Sequence, residues 1–464
     1  MLTRRAFATF VAAATAGIAP TTMIAAARPT SVAAGATSRS EEALAIKRFA
    51  EKTNPRGQDA INDLAWRAGW DKMARRANTL GDGEYVVELR RLLGWFGEGH
   101  TTVLPFEFLG AAPKPLASGV WGLVFPMKTV PFHDGMWVVE AAGDAERLLG
   151  GRIRSVNGRS IEHVMADHAA SWPGENPAWA HTWGQQLLHF AGALHGLGVI
   201  RGDAEAPATI DAVFPNDRVE SALVRPIRGV APERRHIERT LTAPEQFAVD
   251  VNGGNFTRVL HSERALYVSI DDVSDVERVT FPQLTDMVLS ETRSKDVERI
   301  VVDLRRNGGG DNYLSEPLRH ELARSRFNRP GGLYVLIGPK TFSAAQNLAN
   351  RLERETLAIF VGEPTGSAPN LVGDPELLVG DVTGVTVMVG KTRWFDGGPD
   401  DRRRWIFPDI FTPSIAADWI EGKDRALSAA LADTARGAND FSGRARYFER
   451  DSQKVEWRPF WRSA

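Results

Sequence analysis

A chain of 464 residues, 43% apolar and 25% charged, has ordinary globular composition and is long enough for two or three domains. Its 56 basic and 58 acidic residues leave a net charge of -2, which argues against nucleic acid as a partner. The absence of cysteine excludes disulfides, thiolate metal sites and a cysteine nucleophile, so packing alone must hold the fold.

At the N-terminus, Thr3, Arg4, Arg5 and Phe7 precede a mildly apolar stretch, FATFVAAATAGIA, and Ala25, Ala26 and Ala27 stand before Arg28 and Pro29. Residues 1–27 read as a twin-arginine export signal, the plain alternative being a basic tail. The expected setting is the periplasm or exterior of a bacterium. No other stretch approaches the ~20 apolar residues of a membrane span, so the mature chain is expected to have none.

Residues 28–40 form a polar, Ala/Ser-rich linker. Residues 41–112 are expected to be mainly helical, because Glu41 to Phe96 combine helix formers with apolar residues at three- and four-residue spacings. Pro105, Pro113 and Pro115 break that pattern. Over 113–230 the chain becomes β-rich, with strands over 119–127, 135–140 and 152–156, the last ending in an Asn157-Gly158 turn. The segment AGDAERLLGGRIRSVNGRSIEHVM resembles part of a PDZ-like module. From Ala169 to Leu197 helix returns, with Trp172, Trp179 and Trp183 either lining a ligand groove or anchoring a core. Residues 231–257 are a polar connector. Residues 258–435 alternate short strands with helices and are expected to form one α/β domain, and 436–464 form a tail without a readable motif.

The densest pattern lies at 300–346. Ile300 to Leu304 and Leu333 to Ile337 are continuous, β-branched-rich runs expected to be buried parallel strands. They lead into RRNGGGDN and GPKTFSAAQN. Ligands gather outside the carboxyl ends of such strands, so Gly308, Gly309, Gly310 and Ser343 are expected to share one crevice. Ser343-Ala-Ala-Gln346 fits a helix capping box, yet the same helix start suits a nucleophile whose oxyanion needs amide donors. Three successive glycines fit an oxyanion hole, one amide acting beside that of Ala344. A phosphate cradle is the weaker alternative, since neither GxGxxG nor GxxxxGK[ST] occurs. A serine hydroxyl also needs a base. Among ten histidines His100 stands out, in the glycine-flanked loop GEGHTT after the apolar helix end LLGWF, where an imidazole is fixed yet exposed.

Taken in order, GHT, IVVDLRRNGGG, TFSAAQ, VGEPTG and FPDI resemble serine peptidases of the tail-specific and tricorn-core type, whose fold the interphotoreceptor retinoid-binding modules share. The resemblance implies an α/β fold: a ClpP/crotonase-like catalytic domain of strand-helix repeats behind a helical N-terminal segment and a PDZ-like β-rich domain. It implies Ser343 as nucleophile and Gly309 with Ala344 as oxyanion donors. The tail-specific branch carries a lysine base near VGEPTGSAP, but Ser367 stands in that stretch, leaving only Lys340 and Lys391 nearby. The tricorn-like branch uses a histidine matching His100 and an acid shortly before the final Pro-Asp. Asp401 is taken as that acid, with Asp400 and Glu363 as alternatives, although the basic run Arg402 to Arg404 fills the expected position and Asp401 reads equally as a turn residue paired to those arginines. Gln346 replaces the family's usual glutamate. No cofactor or metal is implied. The expected partners are peptides or unfolded protein ends. The rival readings are an inactive ligand-binding protein on the same scaffold and a serine esterase or amidase of small molecules.

Overall fold

The parallel sheet expected of the second half is present in the structure, a computed structural model that describes residues 29–32, 35–104, 122–228, 234–237, 254–275, 279–293, 296–433 and 457–462. The export signal expected over 1–27 and most of the tail lie outside the described residues. The fold is mixed α/β with several sheets, and the chain divides into two compact units. One comprises 239–371 and 395–457, the other 27–238, 372–394 and 458–464.

The first unit is built on a six-stranded sheet in the order Phe256–Leu260, Ala265–Ser269, Arg299–Asp303, Leu333–Ile337, Ile359–Gly362, Ile410–Phe411. Only the first pair is antiparallel. Parallel neighbours demand crossovers, which the helices Phe281–Thr292, Glu316–Arg324 and Ala344–Glu355 supply. Because both faces are covered, the interiors of the central strands are apolar on both faces, and alternation sorts their side chains. Ile300, Val302, Val335 and Ile337 pack under the crossover helices. Val301, Tyr334, Leu336 and Val361 pack on the opposite face with Ala426, Leu427 and Ala430 of the helix Arg425–Ala432.

In the second unit, the helices of 39–93 and the β-rich stretch of 123–224 share one hydrophobic core, from Ile46 and Trp70 through Val138 and Ile153 to Val224. A five-strand path, with two strands paired alongside it, runs through Gly135–Ala141, Arg152–Val156, Ala208–Val213 and Val219–Val224. The Asn157-Gly158 turn takes the left-handed conformation at both residues, φ 50° and 76°, as a two-residue hairpin requires. A four-stranded sheet joins remote pieces of sequence. Pro29–Val32, inside the expected linker, runs parallel to Glu376–Val379, which pairs with Thr386–Val389, which pairs with Thr102–Val103. Trp172, Trp179 and Trp183 are buried against one another, Trp172 and Trp183 stacked with centroids 5.6 Å apart, so they anchor the core instead of lining a groove. Among the described residues, no helix is long and apolar enough to cross a membrane.

Candidate active site

The glycine loop leaves the strand Arg299–Asp303 through a buried ionic network. Asp303 accepts from Arg305 Nε at 3.0 Å and Nη2 at 2.6 Å and from the Tyr267 hydroxyl at 2.7 Å. Arg305 also reaches both oxygens of Asp424, at 2.8 and 2.7 Å, while Arg306 pairs with Asp271. Burial alone raises a carboxyl pKa. Here the positive charge of Arg305, with Arg306 and the tyrosine hydroxyl, overcomes that effect and holds Asp303 below its ordinary range. Asn307, fully buried, then pins the loop from three sides. Its Nδ2 donates to the Ile270 carbonyl at 2.9 Å, its Oδ1 accepts from the Gly309 N–H at 2.8 Å, and its carbonyl accepts from the Phe342 N–H at 3.2 Å.

That last bond joins the glycine loop to the serine loop. Thr341 adds another, donating to the Leu304 carbonyl at 2.9 Å while its hydroxyl accepts from the Gly338 N–H. Every residue from Thr341 to Asn350 is buried except Ser343, which keeps partial exposure. Ser343 has φ 55° and ψ -124°, a strained backbone for a residue with a side chain, costing about 1–3 kcal/mol. The capping box expected of Ser343-Ala-Ala-Gln346 is not formed. Ser343 makes no side-chain cap bond, and the Gln346 amide instead donates to Asn350 Oδ1 at 2.9 Å. A cap needs an extended backbone that this sharp turn denies it.

Gly309, Ser343 and Ala344 converge. A Cβ added to Gly309, whose φ is 122°, would lie 2.6 Å from Ser343 Cβ and 3.1 Å from both Ser343 Oγ and the Ala344 nitrogen. Only glycine fits beside the hydroxyl. Gly310 is required for a different reason, since a Cβ there would sit 2.0 Å from the Val273 carbonyl oxygen. The Ala344 amide belongs to the first turn of a helix, where N–H groups have no partner within the helix. Of the two expected donors, Gly309 is engaged by Asn307 in this conformation, so its use on an oxyanion requires an exchange of partners.

The VGEPTG segment lies against the serine loop through the Gly366 N–H on the Thr341 carbonyl, at 3.0 Å, and a long 3.4 Å bond from the Ser343 N–H to Ser367 Oγ. Glu363 is buried, which pushes its carboxyl up to about 7 against the opposing Ser414 backbone, Trp457 indole and Arg305 charge. Asp401 is also buried, but Arg403 takes both of its oxygens, Nε at 3.1 Å to each and Nη2 at 2.8 Å to one, while bridging to Glu353 at 3.0 and 2.7 Å. The expected orienting acid is thus the acid of a buried ion pair with its own neighbour. Asp400 is exposed, and Asp409 of FPDI locks onto the strand Ile359–Gly362 through the Phe360 N–H at 2.8 Å.

In the other unit, His100 is 2% exposed, not solvated as a loop position implied. Thr101 separates it from Thr102–Val103, and that short strand carries its loop into the sheet with Thr386–Val389. Burial pushes the imidazole down to about 3, partly countered by a hydrogen bond with the Val372 backbone, so the ring is neutral at physiological pH. Lys391, an alternative base, pairs with Glu376 at 3.2 Å. Among the described residues no group of three or more His, Asp or Glu is placed to hold a metal.

No protein-family model matches this chain, and no curated protein matches it in sequence. Solved structures do. Mature CPAF aligns at a TM-score of 0.55 and 12% identity over 84% of this chain and 96% of that one. Mature CPAF complexed with lactacystin aligns at 0.55 and 13% over 84% and 97%. The photosystem II D1 C-terminal processing protease aligns at 0.38 and 16% over 87% and 99%, a score that adds no weight. The chain therefore shares the fold of mature CPAF, and at this identity the likeness speaks to the fold alone.

Proposed function

We propose that the chain is a serine peptidase that forms an acyl-enzyme on Ser343, with His100 as the general base and the Ala344 and Gly309 amides as oxyanion donors. One observation carries the reading: Ser343 holds a strained, positive-φ turn between a buried strand and a helix, its hydroxyl against a glycine that no other residue can replace. Strain of that kind is retained where it aims a group. In the proposed reaction the neutral imidazole takes the serine proton, the alkoxide attacks a peptide carbonyl, and the imidazolium returns the proton to the leaving amine before water releases the acyl group. Asp401 is not part of the proposal, because Arg403 occupies its carboxylate.

A fluorophosphonate probe tests it. The wild type should label, Ser343→Ala should not, and His100→Ala should label on the order of 10²- to 10⁴-fold more slowly. Labelling that survives Ser343→Ala removes the assignment, and a wild type that never labels favours a ligand-binding protein on this scaffold. Hydrolysis of an unfolded protein against p-nitrophenyl esters separates a peptidase from a small-molecule esterase. We also propose that residues 1–27 export the protein by the twin-arginine route to meet peptides or unfolded protein ends in the cell envelope. Replacing Arg4 and Arg5 by lysine should then leave unprocessed precursor in the cytoplasm, and undiminished processing would exclude that route.

A further inference from the structure

The loop that carries His100 rests on a carboxyl group that the proposed mechanism leaves unused. Gly97 ends the helical turn Gly94–Phe96 with φ 66°, and the next three residues are tied down on two sides. On one side Glu98 accepts from Asn54 Nδ2 at 2.7 Å and from Thr101 Oγ1 at 3.0 Å, and Thr101 Oγ1 accepts in turn from the Gly390 N–H at 3.2 Å. On the other side Glu175 Oε2, 76 residues away in sequence, accepts from the N–H of Gly99 at 3.1 Å. Its second oxygen, Oε1, is closed off from solvent.

Glu175 is itself held rigidly. Asn176 caps the following helix, accepting from the Ala178 N–H at 2.9 Å, and Gly174 packs so tightly on Trp179 that a Cβ would lie 2.6 Å from the indole. Pro173 abuts Gly94 in the same way, its Cγ 2.3 Å from where a Cβ would stand. The segment 173–176 thus meets the histidine loop at two places, Gly94 and Gly99.

We propose that Glu175 is a positioning residue for His100, fixing the adjoining Gly99 peptide so that the imidazole is held in one place. The inference rests on the reading of His100 as general base. Glu175 acts through the main chain and is not a catalytic residue. Its protonation is part of the device. Burial and the charge of Glu98 push its carboxyl up to about 8 against the Gly99 hydrogen bond. Glu98 is the charge that acts on Glu175, and Arg56 and Arg393 act in turn on Glu98. Glu175 is therefore neutral at pH 7. Above about pH 8 its ionisation sets a second negative charge beside Glu98 and strains the loop.

Glu175→Gln and Glu175→Ala separate this role from bulk stability when the rate of fluorophosphonate labelling is followed against pH. Glutamine keeps an oxygen that accepts the Gly99 N–H, so Glu175→Gln should label at close to the wild-type rate at pH 7 and should lack the wild type's fall above about pH 8. Glu175→Ala should label on the order of a hundredfold more slowly with probe affinity unchanged, as expected when a reacting group is misplaced by about 1 Å. A wild-type rate in Glu175→Ala, or an alkaline fall that persists in Glu175→Gln, overturns the inference. If Glu175→Ala does not fold, the pH profile of Glu175→Gln decides. Labelling that survives Ser343→Ala removes the parent reading and this one together. Labelling lost in Ser343→Ala but unaffected in both Glu175 variants removes this one alone.

Discussion

Under the glycine loop, Arg305 and Arg306 ion-pair with Asp303, Asp424 and Asp271 at hydrogen-bonding distance, whereas around His100 two carboxyl groups and an imidazole are mainly kept from water. Both loops are rigid, but the physics differs. Opposite charges hold Asp303 ionised, so that loop should not respond to pH near neutrality. Burial moves Glu175 and His100 toward their neutral forms, and their part of the chain should titrate where the other does not. In the serine-bearing unit Glu363, pushed to about 7, is an exception, and it belongs to the VGEPTG segment, not to the glycine loop.

The largest effect expected from breaking this contrast is Asp303→Ala. It leaves Arg305 with Asp424 alone and strands part of a buried guanidinium, a loss on the order of 3–5 kcal/mol. Native-state hydrogen exchange of the Val301 and Val302 amides reads it within that unit, where protection should fall equally at pH 6 and pH 8. A loss of under about 1 kcal/mol would mean that the network is ornamental to the loop.

Gly309→Ala comes next and leaves the charges alone. The added methyl overlaps Ser343 Cβ and demands positive φ of an alanine, so the turn must open. If Ser343 is the nucleophile, labelling should fall on the order of 10²- to 10³-fold, comparable to losing an oxyanion donor. Labelling within about threefold of wild type would show that the close approach of Gly309 has no chemical consequence.

What was legible in the sequence follows the same division. Leu333–Ile337 is a strand over the residues expected, and Ile300–Leu304 is displaced by one to Arg299–Asp303, because local apolar continuity encodes a strand covered on both faces. Asn157-Gly158 announced its own turn. The approach of Gly309 to Ser343 was also foreseeable, since both lie at carboxyl ends of adjacent parallel strands. Long-range burial was not. Nothing near GEGHTT shows that Thr102–Val103 joins strands from 376–389, which is why His100 read as an exposed loop residue. Glu175 was passed over because its partner lies 76 positions away. Ser343-Ala-Ala-Gln346 matches a capping box letter for letter, and the backbone at Ser343 forbids it. Asp401 was chosen by its distance from Pro408 and Asp409, and the equal alternative, a turn residue paired to the adjacent arginines, is the arrangement the structure shows with Arg403.

The smallest effect sharpens the comparison from the other unit. His100 and His168 are both pushed down to about 3 by burial, and His181 to about 4. In the unfolded chain each titrates near 6.5, so between the two values the unfolded state binds more protons. Their contribution is complete above pH 6.5 and is lost as pH falls through about 4 for His181 and toward about 3 for His100 and His168. Glu175 has the opposite sign: its folded value lies above its unfolded one, so its contribution is complete below about pH 4.5 and is lost as pH rises through about 8. His133, His189 and His195 are lowered like these histidines and Glu98 is raised like Glu175, so the histidines outnumber the glutamates and maximal stability of this unit should lie near pH 6.5. Tryptophan fluorescence reports it directly, since the ring of His168 lies edge-on to Trp172 at 5.7 Å. Urea midpoints should fall on both sides of pH 6.5. His168→Gln should shallow the acid limb by about 1.4 kcal/mol per pH unit and leave the alkaline limb unchanged. An acid limb unaltered in that variant would mean that His168 already titrates normally in the folded chain and that burial does not hold it neutral.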